Sequence, residues 1–134
     1  MSGYSGTPLS KKLGVKSGLS MFILHHPKDY FDWLAPMPED VVVKEKLSSQ
    51  LDFIHLFVKE KKEFQKEFIR SKKHLDKNGM LWISWPKKSS KVETDLDENI
   101  IRDYGLKEGL VDVKVCAVDE IWSGLKFVFR LKDR

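Results

Sequence analysis

The sequence GMLWISWPKK, at residues 79–88, limits what this chain can fold into more than any other stretch. It holds five large apolar residues with only Ser84 among them: Met80, Leu81, Trp82, Ile83 and Trp85. Such a run between a glycine and a proline predicts a strand that is buried on both faces. Pro86 cannot donate to a sheet ladder, so we expect the strand to end there. The polar residues that follow should then lie at the edge where open α/β sheets bind ligands.

Length and composition predict one globular domain. A chain of 134 residues can bury roughly two thirds of the surface that it exposes when unfolded. Apolar residues make up 41% and charged residues 33%, which excludes a disordered or collagen-like chain. We therefore expect residues 1–134 to form a single domain, with residues 1–18 as an N-terminal arm and short helix.

Charge and cysteine content bear on the surroundings of the protein. The net charge of +4 arises from basic and acidic residues that are interleaved along the chain, as on a solvated surface. The single cysteine, Cys116, cannot form an internal disulfide, which favours a reducing compartment. No segment approaches the roughly 18 apolar residues of a membrane span. These features predict a cytoplasmic protein without a membrane partner.

Hydrophobic patterns predict six strands and four helices. The strands are apolar or β-branched runs at residues 19–24, 40–45, 51–58, 80–85, 110–118 and 125–131. The helices are predicted at residues 8–13, 28–34, 59–75 and 96–104. The clearest is the helix at 59–75, because Phe64, Phe68 and Leu75 fall on one stripe. A strand, a helix of this length and a strand form a right-handed parallel crossover.

Local signals predict where the later elements begin and end. Thr94 or Asp95 is expected to cap the helix at 96–104, and Gly105 is expected to end it. Residues 119–124 are expected to form a hairpin loop, which makes the last strand antiparallel to the others.

The order of elements resembles the second half of the methyltransferase-type Rossmann fold. Three segments, SGTPLSKKLGV, GMLWISWPKKSS and VDVKVCAVDEIWSGLKFVFR, also closely resemble a bacterial family catalogued only as a domain of unknown function. The resemblance covers residues 4–130. It implies a three-layer α/β fold with a shortened Rossmann-like sheet and no established activity.

If the sheet follows that pattern, its strand order is 2-1-3-4-6-5 with the last strand antiparallel. The order then reverses between strands one and three, and ligands of open α/β sheets bind at such a switch point. We expect a crevice there, bordered by residues 25–29 and 58–60, with residues 85–90 and 119–123 on the same edge.

S-adenosylmethionine is a possible cofactor, because methyltransferases of this fold bind it in that crevice. They normally carry a glycine-rich turn after the first strand, where only glycine lets the backbone approach the cofactor. Here the turn is His25-His26-Pro27-Lys28-Asp29, without a glycine. Glu45, near the end of the second strand, is a candidate to hold ribose hydroxyls. We therefore assign no cofactor from the sequence.

Other chemistries receive less support. His25 and His26 would need Asp29 or His55 to complete a metal site, but adjacent strand residues point to opposite faces. Cys116 falls in an alternating strand, which favours a structural thiol over a nucleophile. Nucleic acid is not favoured as a partner, because glutamates dilute the lysines of residues 59–77 and no recognition motif is present.

Polar residues at the carboxyl edge of the sheet form the leading candidate site, which we call the rim site. Its members are Lys87, Lys88, Ser89, Thr94, Asp119, Glu120, Trp122 and Ser123. The two lysines supply positive charge, and the hydroxyls near a helix start supply hydrogen bonds, which together favour a small anion. Trp122 supplies a flat surface, and Asp119 and Glu120 are expected to pair with the lysines.

Three functions follow from these patterns. The first is a non-catalytic binding module for a small anionic ligand at the rim site. The second is a divergent S-adenosylmethionine-dependent methyltransferase-like protein that uses the same crevice. The third is a protein interaction or scaffold domain, in which a second copy of the chain or another protein covers an apolar patch of Phe31, Trp33 and Leu34.

Overall fold

A computed structural model describes residues 7–134 and contains the six strands of the expected sheet. The strands are β1 (Ser20–Leu24), β2 (Val42–Lys44), β3 (Leu51–Phe57), β4 (Leu75–Pro86), β5 (Leu110–Ala117) and β6 (Trp122–Phe129). The helices are α1 (Leu9–Leu13), α2 (Tyr30–Leu34), α3 (Lys61–His74) and α4 (Glu98–Lys107). The first six residues of the expected N-terminal arm lie outside the described residues.

The strand order is β2-β1-β3-β4-β6-β5, which confirms the sequence prediction. Strands β2, β1, β3 and β4 run parallel to one another. Strand β6 is antiparallel to both β4 and β5, as expected for the strand of a terminal hairpin. The chain places β2 on one side of β1 and β3 on the other, so the strand order reverses between β1 and β3, at the predicted switch point.

Two apolar layers cover the faces of the sheet and make the fold three-layered. On one face, the long helices α3 and α4 pack through Phe64, Phe68 and Ile101 onto the central strands. On the other face, the five-residue helices α1 and α2 pack through Leu13, Tyr30 and Leu34. No helix among residues 7–134 is long and apolar enough to cross a membrane.

The central strand β4 is longer than predicted. It begins at Leu75, directly after α3, and residues 76–79 bulge out between Leu51–Leu75 pairing and Phe53–Met80 pairing. Asn78 and Gly79 belong to this irregular start. Residues 81–86 are buried, so the expectation of a strand enclosed on both faces is confirmed.

The expected ends of α4 are wrong. Its first turn is capped by Asp97, whose Oδ1 accepts a hydrogen bond from the Ile100 amide at 2.8 Å. Gly105 lies inside the helix. A glycine is needed at this position because the Phe127 ring packs against it and leaves no room for a side chain. A Cβ there would lie 2.1 Å from that ring. The left-handed glycine after the helix is Gly109, with φ of +95°.

The terminal hairpin is tighter than predicted. Trp122 and Ser123, expected in the loop, are the first residues of β6. Strand β5 also departs from simple alternation, because its register shifts between Asp112 and Lys114. Asp112 contacts Arg102 of α4 at 2.9 Å, whereas Lys114 contacts the carbonyl of Lys12 in α1 at 2.8 Å. These two residues therefore lie on opposite faces of the sheet, so the strict alternation predicted for this strand is wrong.

The apolar patch of Phe31, Trp33 and Leu34 is partly enclosed. Leu34 is fully buried, and Phe31 and Trp33 are half-buried against the core beneath α2. The edge strand β2 is exposed along its length, with Val42 and Val43 among the exposed large apolar residues.

Candidate functional site

An open crevice of about 730 Å³ lies at the carboxyl ends of the parallel strands. We call it the acidic crevice, and nine residues line it: His25, Phe57, Lys59, Glu60, Glu63, Glu93, Thr94, Asp95 and Trp122. Four of them are carboxylates, against one lysine and one histidine. Water screens charges less effectively beside an apolar wall, so the electric field of these carboxylates is stronger there. The crevice therefore favours a cation over an anion.

One wall of the crevice begins where β1 ends. His25 takes a left-handed conformation there, with φ of 55°, which is the backbone geometry that glycine adopts most easily. Its Nδ1 atom lies 3.4 Å from a carboxylate oxygen of Glu63, in the first turn of α3. The turn after β1 therefore has the sharp bend of a glycine turn, but a histidine side chain reaches across the crevice.

A second wall is the loop before α4, which hydrogen bonds attach to the start of α3. The Asp95 carboxylate accepts from the Lys61 amide at 2.6 Å and so satisfies an otherwise unpaired donor of α3. The Thr94 hydroxyl donates to the Lys59 carbonyl and accepts from the Leu96 amide at 3.1 Å. These contacts bring carboxylates from two distant segments to one place.

Two aromatic rings form the apolar part of the crevice. Phe57, the last residue of β3, meets Trp122 edge to face with ring centroids 5.1 Å apart. Trp122 is held in position because the Asp119 carboxylate accepts from its backbone amide at 2.7 Å. Phe57 is buried and Trp122 is half-buried, so the indole is the ring that a ligand can reach.

Three buried polar side chains, those of Tyr30, His55 and Ser84, form a hydrogen-bonded chain near the aromatic wall, which we call the buried polar chain. The imidazole of His55 bonds the Tyr30 hydroxyl through Nδ1 and the Ser84 hydroxyl through Nε2, both at 2.8 Å. It also stacks on Phe57 with ring centroids 4.3 Å apart. Burial lowers the pKa of His55 to about 3, and burial raises the pKa of Tyr30. His55 is therefore neutral at ordinary pH, and it attaches α2 to the centre of the sheet.

Of the eight rim-site residues, the structure places Thr94 and Trp122 in the acidic crevice. Lys88, Ser89 and Ser90 form a 3₁₀ turn after β4. The Lys87 amide donates to the Ile121 carbonyl at 2.8 Å, so the backbone joins the two loops of the rim.

The remaining rim-site residues belong to the hairpin. Asp119 accepts from the amides of Ile121 and Trp122 and so closes the turn. Glu120 is exposed, and Ser123 pairs with Trp85 of β4. Among residues 7–134, no ion pair joins Lys88 to Asp119 or Glu120. An anion at Lys87 and Lys88 stays a prediction.

The predicted crevice borders are confirmed at His25, Lys59 and Glu60, whereas residues 85–90 do not line it. Sequence reasoning missed Phe57, Glu63, Glu93 and Asp95. The three acidic residues lie in segments that also contain lysines, and Phe57 lies near the end of a predicted strand. Only their convergence in three dimensions identifies them as residues of one site. Glu45, the candidate ribose ligand, is exposed beyond β2 and does not line the acidic crevice.

The other candidate chemistries find no site in the described part of the chain. Residues 7–134 contain no group of three or more His, Cys, Asp or Glu side chains placed to hold a metal ion. His26 Nδ1 lies 2.9 Å from the Pro27 carbonyl. Burial raises the pKa of the Cys116 thiol, against the smaller opposing effect of Lys12 and Lys114, so the thiol is less nucleophilic than a free cysteine.

Comparison with known proteins identifies the fold. The sequence matches no protein-family model and no curated protein. Among solved structures, a putative type 11 methyltransferase from Sulfolobus solfataricus has a TM-score of 0.61 and 12% identity, covering 91% of this chain and 89% of that one. Magnesium protoporphyrin IX methyltransferase from Synechocystis PCC 6803, with bound SAH, has a TM-score of 0.58 and 11% identity over 91% and 78%.

A third similar structure is fibrillarin from Aeropyrum pernix with natively bound S-adenosyl-L-methionine, with a TM-score of 0.58 and 13% identity over 95% and 71% of the two chains. Identities this low show a shared fold and no more. The expected methyltransferase-like Rossmann fold is therefore confirmed. Membership of the bacterial family of unknown function stays a prediction. The chain has the α/β architecture of S-adenosylmethionine-dependent methyltransferases.

Proposed function

We propose that this protein binds a small, positively charged ligand in the acidic crevice, and that S-adenosylmethionine is the first ligand to test. One observation carries the proposal. Glu60, Glu63, Glu93 and Asp95 gather at the switch point of the sheet and face only Lys59 and His25 among the lining residues. Ligands of open α/β sheets bind at that point, and a negative field there selects cations.

The charge and the aromatic ring of S-adenosylmethionine suit the lining of this crevice. It carries a sulfonium and an ammonium group, which the carboxylates would attract, and an adenine ring that can lie on Trp122. Stacking of a base on an aromatic side chain is worth about 1–3 kcal/mol. Two similar structures, those of fibrillarin and of the protoporphyrin methyltransferase, contain the cofactor or SAH.

The turn after β1 limits how such a ligand would sit. His25 supplies the left-handed bend of a glycine turn but adds an imidazole that is joined to Glu63. A ligand would therefore contact side chains where methyltransferases of this fold offer backbone. For this reason we propose binding without assigning methyl transfer.

The two other functions stay proposals with less support. A small anion at Lys87 and Lys88 would have to bind close to an acidic crevice, which opposes it. A scaffold role predicts a stable oligomer of the purified protein. A cytoplasmic location likewise stays a prediction.

Isothermal titration of S-adenosylmethionine and S-adenosylhomocysteine tests the proposal, because the second compound lacks the sulfonium charge. We expect the charged compound to bind about tenfold more tightly, which corresponds to about 1.4 kcal/mol. Replacing Glu60 and Glu63 together by glutamine should remove this preference. The exposed Glu39→Gln is the matched control and should leave both affinities unchanged.

The result has clear opposing outcomes. Absence of binding by either compound would reject an adenosyl ligand. Equal or tighter binding of S-adenosylhomocysteine would reject the selection of positive charge. A parallel titration with phosphate and the double variant Lys87→Ala/Lys88→Ala tests the anion hypothesis.

A further inference from the structure

Four lysines gather on the face of the sheet that α1 covers, away from the acidic crevice. We call them the lysine cluster, and its members are Lys12, Lys16, Lys114 and Lys126. Lys114 Nζ donates to the carbonyl of Lys12 at 2.8 Å. The ammonium of Lys126 lies against the α1 turn, 3.7 Å from the position that a Cβ of Gly14 would take. The cluster shares no residue with the lining of the crevice.

A strand irregularity brings Lys114 into the cluster. In a regular strand, Asp112 and Lys114 would point to the same face. The register shift between them sends Asp112 to Arg102 on the α4 face and Lys114 to the α1 face. Bulges that redirect a side chain in this way are common beside functional sites.

The redirected lysine lies directly opposite a second one. Lys114 and Lys126 are cross-strand partners in the β5–β6 pair. Like charges in directly opposite positions destabilise an antiparallel pair, whereas an opposite charge at either position would stabilise it. The arrangement is therefore unfavourable unless a negative charge accompanies it.

The four lysines have no ion-pair partner within the described residues, and the sequence around α1 holds no acidic residue. The ion pairs found within residues 7–134 involve none of the four lysines. Residues 1–28 contain no Asp or Glu, and Asp29 is the first acidic residue of the chain. Burial, and then the charges of Lys114 and Lys16, lower the pKa of Lys126, as expected for an ammonium whose charge is not balanced.

We propose that the lysine cluster is a binding site for a phosphate group, in which Lys126 and Lys114 hold the anion from β6 and β5 and Lys12 and Lys16 enclose it from the α1 side. A multiply charged anion meets several ammonium groups at once, and lysine binds phosphate as a point charge. This site is independent of the acidic crevice and of its proposed ligand.

Thermal unfolding in sodium pyrophosphate, compared with sodium chloride at equal ionic strength, tests the proposal. The wild-type protein should melt several degrees higher in pyrophosphate. Lys126→Met keeps the length of the side chain and removes its charge, and it should abolish this rise. Lys114→Gln should reduce it. The exposed Lys66→Met on α3 is the matched control and should keep the full rise.

A second titration identifies the source of the phosphate. If pyrophosphate raises the melting temperature, a free phosphate compound is the ligand. If only a short single-stranded RNA binds, in a manner that Lys126→Met abolishes, the occupant is a phosphate of a nucleic-acid backbone. Failure of both probes, or an equal response of the Lys126→Met and Lys66→Met variants, would overturn the proposal.

Discussion

The acidic crevice and the lysine cluster differ in how their charges are balanced. In the crevice, Glu63 faces His25 and Asp95 caps the backbone of α3, so two carboxylates also organise the loops that hold them. In the cluster, Lys114 faces Lys126 across two strands without an acidic neighbour. The carboxylates of the crevice thus serve the fold as well as a ligand. The ammonium groups of the cluster form no ion pair among the described residues, although Lys114 donates to the Lys12 carbonyl.

The largest expected effect concerns the buried polar chain near the crevice. His55 has a pKa of about 3 in the folded protein and about 6.5 in the unfolded chain, so the unfolded chain binds more protons between these values. Stability should be complete above pH 6.5 and should fall as the pH drops towards 3, by up to about 1.4 kcal/mol per pH unit. Urea unfolding at several pH values measures this slope.

The variant His55→Gln provides the comparison, because it removes the titrating group while keeping a side chain that can bond Tyr30 and Ser84. Its stability at pH 7 should be lower, but its loss of stability between pH 6.5 and 4 should be smaller than that of the wild type. Identical slopes in the two proteins would contradict the assignment of this pH dependence to His55.

The next largest effect concerns the hydrogen bond that holds α1, the helix beside the lysine cluster, in place. The Trp82 indole donates to the Leu13 carbonyl at 2.8 Å and holds the end of α1, which carries Lys12 and precedes Lys16. Trp82→Phe should destabilise the protein by about 2–4 kcal/mol, because it leaves a buried carbonyl unpaired and removes core volume. Chemical denaturation measures the loss.

In that variant, pyrophosphate should lose more of its stabilising effect than S-adenosylmethionine does. The half-buried Trp33→Phe, on α2, is the control and should cost less stability. Equal weakening of both ligands would show that the two regions do not depend on separate supports.

A smaller effect is expected in the crevice wall. Asp95→Ala removes the carboxylate that accepts from the Lys61 amide, and loss of such a cap costs about 1 kcal/mol. Asp103→Ala, on an exposed position of α4, should change the stability by much less. Differential scanning calorimetry of the two variants measures the difference, and equal melting temperatures would remove the role given to Asp95.

The smallest expected effect is a difference between the two regions in the sign of the stability change when one charge is removed. Lys126→Met should stabilise the protein in the absence of anions by less than about 1 kcal/mol, because it relieves a cross-strand pair of like charges. Glu63→Gln should not stabilise it, because Glu63 faces His25. Unfolding curves at low ionic strength show the difference, and a destabilised Lys126→Met variant would contradict the unbalanced charge.

The sheet could be predicted from the sequence because its strands are short apolar runs and its clearest helix has a strict stripe. Residues 80–85 and Phe64 and Phe68 carried most of that information. Long-range packing explains the errors. Gly105 resembles a helix end, but its small size serves the ring of Phe127, which is distant in sequence. Trp122 resembles a loop residue, yet it pairs with Pro86.

The candidate sites were harder to predict for the same reason. Glu63, Glu93 and Asp95 lie among lysines in the sequence, where they resemble residues of a solvated surface, and they converge only because loop contacts join α3 to the segment before α4. Lys114 reaches the cluster through a register shift that alternation cannot reveal. Charge in the linear sequence predicted an anion at Lys87 and Lys88, and this stays a prediction. The folded chain adds a separate feature, the carboxylates that gather in the acidic crevice.

The most direct test of the two-site account is a pair of NMR titrations of the wild-type protein, one with S-adenosylmethionine and one with pyrophosphate. The indole NH signals of Trp122 and Trp82 serve as probes near the crevice and near α1. We expect S-adenosylmethionine to shift Trp122 and the amides of residues 59–63, and pyrophosphate to shift Trp82 and the amides around Gly14, Lys114 and Lys126. A single set of residues that responds to both ligands, or no response to either, would contradict two separate sites of opposite charge.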